Sequence, residues 1–276
     1  MFDPVMKCAV LGSPIEHSLS PVLHRAAYAE LGLRWTYQAL DVEERELRGF
    51  IEGRDRSWRG LSLTMPLKRT VMPMLDVVDE WTRLSGVANT VVFDGAIRKG
   101  YNTDIPGAIA ALRERVPGPF ANVVVLGGGA TAASMLLALG ELGCEHARLL
   151  VREPSRAVET VEAVGRAENG PEIEVGTLGD PVGEADLVVS TIPSAAQTDW
   201  LVRSADPCPV VFEVTYDPWP TPLAARALVS GRILISGLDL LINQAALQVN
   251  LMTTMTAPTA AMRAAGEGAL SARSPR

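Results

Sequence analysis

Lysine is scarce in this chain. Of 25 basic residues in 276, only Lys7, Lys68 and Lys99 are lysines, and arginine carries positive charge everywhere else. A lysine can be tuned to give up its proton and an arginine cannot, so a lysine inside a motif invites a chemical reading. Cys8, Cys144 and Cys208 lie far apart, in or beside apolar segments. They lack the spacing of a zinc site or a disulfide framework and read as buried free thiols. His17, His24 and His146 are too scattered to form a metal site, so no metal is expected. His17 and His24 read as packing or hydrogen-bonding residues. No apolar run reaches the roughly 18 residues that a membrane span requires. Met1-Phe2-Asp3-Pro4 shows no basic region followed by an apolar stretch, so a secretory signal is not expected. The net charge is −7 with no block of basic residues, which argues against nucleic acid as a partner. A small anionic ligand in a locally positive pocket remains compatible with that charge. These absences leave a cytoplasmic protein with neither nucleic acid nor membrane as an expected partner.

What is present is an alternation. Hydrophobic residues make up 47% of the chain, and short apolar runs alternate with helix-periodic stretches, the pattern of α/β folds. Strands are expected at 6–11, 35–42, 59–63 and 88–93, the last leading into an Asp94-Gly95 turn. Ser20-Pro21 predicts a helix to about Leu31, with the serine as cap and the proline at the first helical position. Further helices are expected at 43–52 and, in two pieces, at 66–84. At Asn122 the texture changes to Val123-Val124-Val125-Leu126, a glycine-rich turn and a helix to about Leu142. Strands then follow at 147–151, 173–175, 186–192, 210–216 and 232–236. The expected division is 1–105, 106–237 and 238–276, with the boundary in the helix at 105–115 or in the Pro117-Gly118-Pro119 turn. The last helices have no strand partner and are expected to return to the first domain, followed by a frayed tail from Ser271.

Gly127-Gly128-Gly129-Ala130-Thr131-Ala132 fits G-x-G-x-x-A between a strand and a helix. The first glycine permits a tight turn, the second lets backbone approach a pyrophosphate, and the small last residue lets helix and sheet pack closely. The next strand ends in Val151-Arg152-Glu153-Pro154-Ser155-Arg156. An acid at this place bonds a ribose hydroxyl and selects NAD, whereas arginine favours the extra phosphate of NADP. Arg152 and Arg156 favour NADP; Glu153 keeps NAD open.

Three stretches of the first half carry chemistry. Gly12-Ser13-Pro14-Ile15-Glu16-His17-Ser18-Leu19-Ser20-Pro21 brings two hydroxyls to the end of the first strand. Leu63-Thr64-Met65-Pro66-Leu67-Lys68 adds another hydroxyl and the rare lysine. Ala88-Asn89-Thr90 and Tyr101-Asn102-Thr103-Asp104 add an amide and a carboxylate. All lie near strand ends, where open α/β sheets bind ligands. With these motifs in this order the chain resembles the shikimate dehydrogenase family. Ser62 stands for that family's asparagine and Val87-Ala88 for its Ala-Val. The resemblance continues through Tyr216, Pro218, Thr221-Pro222-Leu223, Gly237-Leu238, Leu241 and Gln244-Ala245, so it spans about Lys7 to Val249.

The resemblance implies an N-terminal α/β substrate domain followed by a Rossmann dinucleotide-binding domain. It also implies reversible hydride transfer between NADPH and 3-dehydroshikimate. The catalytic pair would be Lys68 and Asp104, with Ser18, Ser20, Thr64, Asn89, Tyr216 and Gln244 around the substrate. Cofactor contacts would come from Gly127, Gly128, Gly129, Ala130, Thr131, Arg152, Arg156, Val214, Gly237 and Glu80. Lys68 would act as proton donor and acceptor. Asp104 would hold the ammonium or share the proton transfer, and as a residue just before a helix it is also placed to cap it. Quinate or aminoshikimate with NAD are alternative substrate and cofactor pairings, and a non-catalytic shikimate-binding regulator is a third reading. Family members occur as monomers and homodimers.

Overall fold

The computed structural model describes residues 5–116 and 118–273. Met1 to Pro4, Pro117 of the expected boundary turn and Ser274 to Arg276 of the expected tail lie outside the described residues. The chain forms two compact units, Met1–Thr103 with Leu241–Arg276, and Asp104–Leu240.

In the first unit, β1 (Lys7–Gly12) is followed by α1 (Ser20–Glu30), β2 (Thr36–Asp41), α2 (Glu44–Gly53) and β3 (Trp58–Leu63). β1 lies between β2 and β3, parallel to both. Its apolar run is buried on both faces, as a parallel strand covered by helices should be. Ser20 is the first helical residue of α1 rather than its cap. The hydroxyl of Ser18 instead accepts the Ser20 N–H at 3.3 Å, so the polar start signal works two residues upstream of where it was expected. The two helical pieces expected at 66–84 are present, and a 3-10 turn and a short strand separate them. α3 (Leu67–Thr70) gives way to a 3-10 turn at Met72–Met74, then β4 (Val77–Val78), then α4 (Glu80–Ser85). Pro73 cannot supply the amide that a continuing helix needs, and Val77 and Val78 pair with a strand instead.

That strand is one arm of a hairpin. β5 (Thr90–Asp94) turns through Gly95, whose φ of 61° suits the tight connection, into β6 (Ile97–Tyr101). The sequence reading missed β6 because Arg98 and Lys99 interrupt its apolar pattern. Both charges are held by ion pairs, Arg98 with Asp76 at 2.7 Å and Lys99 with Asp94 at 2.7 Å. The sheet order is β2-β1-β3-β5-β6-β4. Leu47, Leu61, Leu67 and Val91 pack one side of it, and Tyr28, Tyr37 and Met252 the other.

The second unit opens with α5 (Asp104–Arg115), β7 (Asn122–Leu126), α6 (Ala130–Glu141), β8 (His146–Val151), α7 (Val158–Val164) and β9 (Glu172–Thr177). It continues with β10 (Leu187–Ser190), α8 (Asp199–Ser204), β11 (Val210–Glu213), α9 (Pro222–Val229) and β12 (Ile233–Ser236). All the pairings are parallel, in the order β12-β11-β10-β7-β8-β9. Counted from β7, this is the 3-2-1-4-5-6 order of the doubly wound dinucleotide-binding sheet. The expected α/β Rossmann domain is therefore the one the chain builds. α6 is buried nearly all round, because α5 and α7 flank it over the sheet.

α10 (Gly237–Thr253) begins in the second unit, and its turns from Leu241 on belong to the first, as does α11 (Thr259–Arg273), which packs on α1. α11 continues through Ser271 to Arg273, where a frayed tail was expected. All three cysteines are buried and free, as expected.

Candidate active site

In the first unit the site segments are held together by backbone before any side chain acts. β1 and β3 run parallel, so the loops that leave their C-terminal ends emerge side by side. The Ser13 N–H donates to Met65 O at 3.1 Å and the Thr64 N–H to Leu11 O at 2.9 Å. Ser18, Ser20, Thr64 and Lys68 are thereby gathered at one end of the sheet. Ser20 is buried, while Ser18, Thr64 and Lys68 are half-buried. The Ala88 N–H donates to Lys68 O at 2.9 Å and the Leu63 N–H to Asn89 O at 2.7 Å, which ties the lysine turn to the segment carrying Asn89.

Asn89 is buried at the centre of an amide and hydroxyl cluster. Its Oδ1 accepts the Thr103 N–H at 2.9 Å, and its Nδ2 donates to Thr103 Oγ1 at 2.9 Å and to Gln244 Oε1 at 3.2 Å. Gln244, on α10, is also buried. Four of the expected substrate residues, Ser18, Ser20, Thr64 and Asn89, are thus on connected segments with Lys68, and Gln244 touches Asn89 directly. Asp104 follows Thr103 without a gap, is 7% exposed and begins α5. Glu80 opens α4, is exposed and pairs with Arg83 at 3.4 Å.

In the second unit Gly127 follows β7 with φ +103°, and a Cβ there would meet Thr191 Oγ1 at 2.5 Å, so only glycine fits. The turn lies where β7 and β10 diverge, the switch point at which such sheets bind ligands. Gly129 precedes α6, and the first-turn amides of a helix, here from Ala130 and Thr131 on, have no acceptor within the helix, the arrangement that suits an anion. Thr160 Oγ1 donates to Gly128 O at 2.9 Å and braces the turn from behind. Arg152 and Arg156, after β8, are exposed and engage no carboxylate among the described residues. Gly237 packs its Cα against Val214 O so closely that any Cβ would collide with it. Val214 and Gly237, two expected cofactor residues, are therefore neighbours. Tyr216 is half-buried in the same loop as Val214.

Beneath that loop lies a feature the sequence reading did not pick out. Glu213, fully buried at the end of β11, accepts Gln197 Nε2 at 2.7 Å, Thr221 Oγ1 at 2.8 Å and the Thr215 N–H at 3.1 Å. Burial pushes its pKa up against these bonds. Gln197, far away in sequence and unmarked by any motif, supplies the key partner.

Residues 10–91 match the shikimate dehydrogenase substrate binding domain, and residues 237–265 match the shikimate 5'-dehydrogenase C-terminal domain. A shikimate dehydrogenase (NADP(+)) of Moorella thermoacetica is 36% identical over 270 residues, covering 92% of this chain and 90% of that protein. The chain belongs to the shikimate dehydrogenase family. Among solved family structures, the Mycobacterium tuberculosis shikimate dehydrogenase aligns with a TM-score of 0.86 at 37% identity, covering 96% of this chain and 99% of that one. The Thermus thermophilus shikimate 5-dehydrogenase, solved in complex with NADP(H) and shikimate, aligns at 0.83 and 30% identity over 96% and 100% of the two chains. The fold and family that the motifs implied are both borne out.

To Ser62 and Thr90 of the motif segments the first unit adds Tyr37 and Gln248, all four buried and hydrogen-bonded in line with Asn89. One signal for Gln248 was available in the sequence. It lies four residues after Gln244, on the same face of one helix.

Proposed function

We infer that this chain catalyses the reversible NADPH-dependent reduction of 3-dehydroshikimate to shikimate, an oxidoreductase step at a CH–OH group on the route to chorismate and the aromatic amino acids. The observation that carries the reading is the gathering of Ser18, Ser20, Thr64, Lys68, Asn89 and Gln244 at one end of the first sheet. Hydroxyls and amides suit a substrate with one carboxylate and several ring oxygens. A single lysine supplies the proton chemistry.

The second unit suits NADP. The Gly127 turn and the start of α6 offer backbone amides to a pyrophosphate, and the exposed Arg152 and Arg156 offer two guanidiniums to a ribose phosphate. Glu153 lies beside them, so the preference over NAD rests on two cations against one carboxylate. Val214, Gly237 and Glu80 complete the assigned cofactor contacts. Bound NADPH supplies the hydride. Lys68 gives its proton to the ketone oxygen as negative charge develops there, and in the reverse direction the amine takes the hydroxyl proton. Asp104 holds the ammonium and bonds a neighbouring hydroxyl. Ser18, Ser20, Thr64, Asn89, Tyr216 and Gln244 fix the ring so that one face of the reacting carbon is open. We place the enzyme in the cytoplasm, as a monomer or homodimer acting on small molecules. Among the described residues no helix is long and apolar enough to cross a membrane.

The test is a matrix of initial rates, shikimate and quinate against NADP and NAD. Shikimate with NADP should be the preferred pair. A preference for NAD above about tenfold, equivalent to about 1.4 kcal/mol, or for quinate, would overturn the assignment.

A further inference from the structure

The hydrogen bonds around Asn89 have a direction that one backbone group fixes. The Thr103 N–H can only donate, and it lies 2.9 Å from one end of the Asn89 amide, so that end is the oxygen. Thr90 Oγ1 is 2.8 Å from the same oxygen and must spend its single proton there. Thr90 is then an acceptor toward Gln248, 3.0 Å away, and Gln248 presents its Nε2 to it. The Oε1 of Gln248 therefore faces Ser62 Oγ at 2.7 Å and His24 Nε2 at 3.1 Å, and both donate to it. Ser62, its proton committed, accepts from the Tyr37 hydroxyl at 2.6 Å. His24 is left as the neutral tautomer with hydrogen on Nε2. Its Nδ1, which has no hydrogen-bond partner among the described residues, is a bare lone pair rather than a stranded N–H.

The same logic runs forward from Asn89. Its Nδ2 faces Gln244 Oε1 at 3.2 Å and also donates to Thr103 Oγ1 at 2.9 Å, whose own proton is shared between Asn89 Oδ1 at 3.1 Å and Gln244 Oε1 at 3.3 Å. Gln244 consequently turns its Nε2 away from Asn89. One N–H of that group goes to Leu241 O at 3.2 Å, and the amide nitrogen carries a second.

We propose that Gln248 and Thr90 are positioning residues that buttress Asn89, whose polarity the Thr103 N–H sets, so that Asn89 holds Gln244 Oε1 in place and Gln244 presents a hydrogen-bond donor to the substrate. The site thereby selects a ligand oxygen with a lone pair at that place. The proposal rests on Gln244 and Asn89 being substrate residues. Buried relays of this kind are all or nothing, because a reversed member leaves two donors or two acceptors face to face in a dry interior.

Steady-state kinetics on Thr90→Val, Thr90→Ser, Gln248→Leu, Gln248→Glu and Asn89→Ala test it, with unfolding temperatures measured alongside. Gln248→Glu keeps the size, and as the carboxylate it can only accept from Thr90, which pulls the Thr90 proton off Asn89. Thr90→Val, Gln248→Leu and Gln248→Glu should each raise KM for shikimate about tenfold or more, about 1.4 kcal/mol, with kcat within about threefold and KM for NADP unchanged. Thr90→Ser, which restores the hydroxyl, should return KM to near the parent value. A merely structural role would lower the unfolding temperature without separating KM from kcat, and Thr90→Ser would then offer no specific rescue. If Asn89→Ala raises the shikimate KM while Thr90→Val and Gln248→Leu do not, the relay is wrong and the site assignment stands. If Asn89→Ala leaves that KM unchanged, the site assignment itself fails. Should Gln248→Leu not fold, the Thr90→Val and Thr90→Ser pair decides the matter alone.

Discussion

Glu213 accepts a hydrogen bond from Gln197 at 2.7 Å, and that pair forms the floor under the loop carrying Val214 and Tyr216. Burial raises the Glu213 pKa above its ordinary value near 4.5. Where a native pKa lies above the unfolded one, the native state binds more protons. Stability is then fully present below the unfolded value and is lost as pH rises through the native value. Glu213→Gln removes this titration. The stability of the parent relative to the variant should therefore fall as pH rises from about 4 toward neutrality, as read by chemical unfolding at a series of pH values. A difference that stays flat or grows with pH would show that the carboxylate is not desolvated as described.

His24 predicts the opposite slope at the acid end. Full burial pulls its pKa down to about 3 from 6.5, with only the Gln248 bond opposing. The unfolded chain binds the proton first, so the contribution of His24 is complete above pH 6.5 and is lost as pH falls toward about 3. Relative to His24→Gln, the parent should lose up to about 1.4 kcal/mol per pH unit across that window. Unfolding free energies of the two proteins that run parallel between pH 6 and 4 would contradict it.

Arg152 and Arg156 are exposed, and neither pairs with a carboxylate among the described residues. If they hold the ribose phosphate, changing both to alanine removes charge-assisted bonds worth about 1.5–3 kcal/mol each. KM for NADP should then rise at least tenfold, KM for NAD should change little, and the NADP effect should shrink at high salt. Equal losses with both nucleotides would remove the arginines from the phosphate site.

Much of this molecule could be read from its sequence because several signals are local. The Val123–Leu126 run ending in Gly127 specifies a strand and a tight turn, and the Rossmann sheet formed around it as expected. The paired strand ends bearing Ser18 and Thr64 were equally legible. What escaped was set by contacts distant in sequence. β6 is a strand because β4 and β5 pair with it and because Asp76 and Asp94 neutralise Arg98 and Lys99. No pattern within residues 97–101 shows that. The two helical pieces at 66–84 were legible, but not the two-residue β4 between them, since its pairing with β6 is tertiary. Gln197 has no motif and Gln248 only its helical spacing from Gln244, and their roles arise when Glu213 and Thr90 come to face them.

The most direct test of the account is the Lys68→Ala enzyme, assayed with shikimate and NADP at saturation. Loss of the proton donor should lower kcat by about 10² to 10⁴-fold, with KM for shikimate changed little and the fold intact by circular dichroism. A folded Lys68→Ala protein with near-parental kcat would contradict the mechanism at its centre.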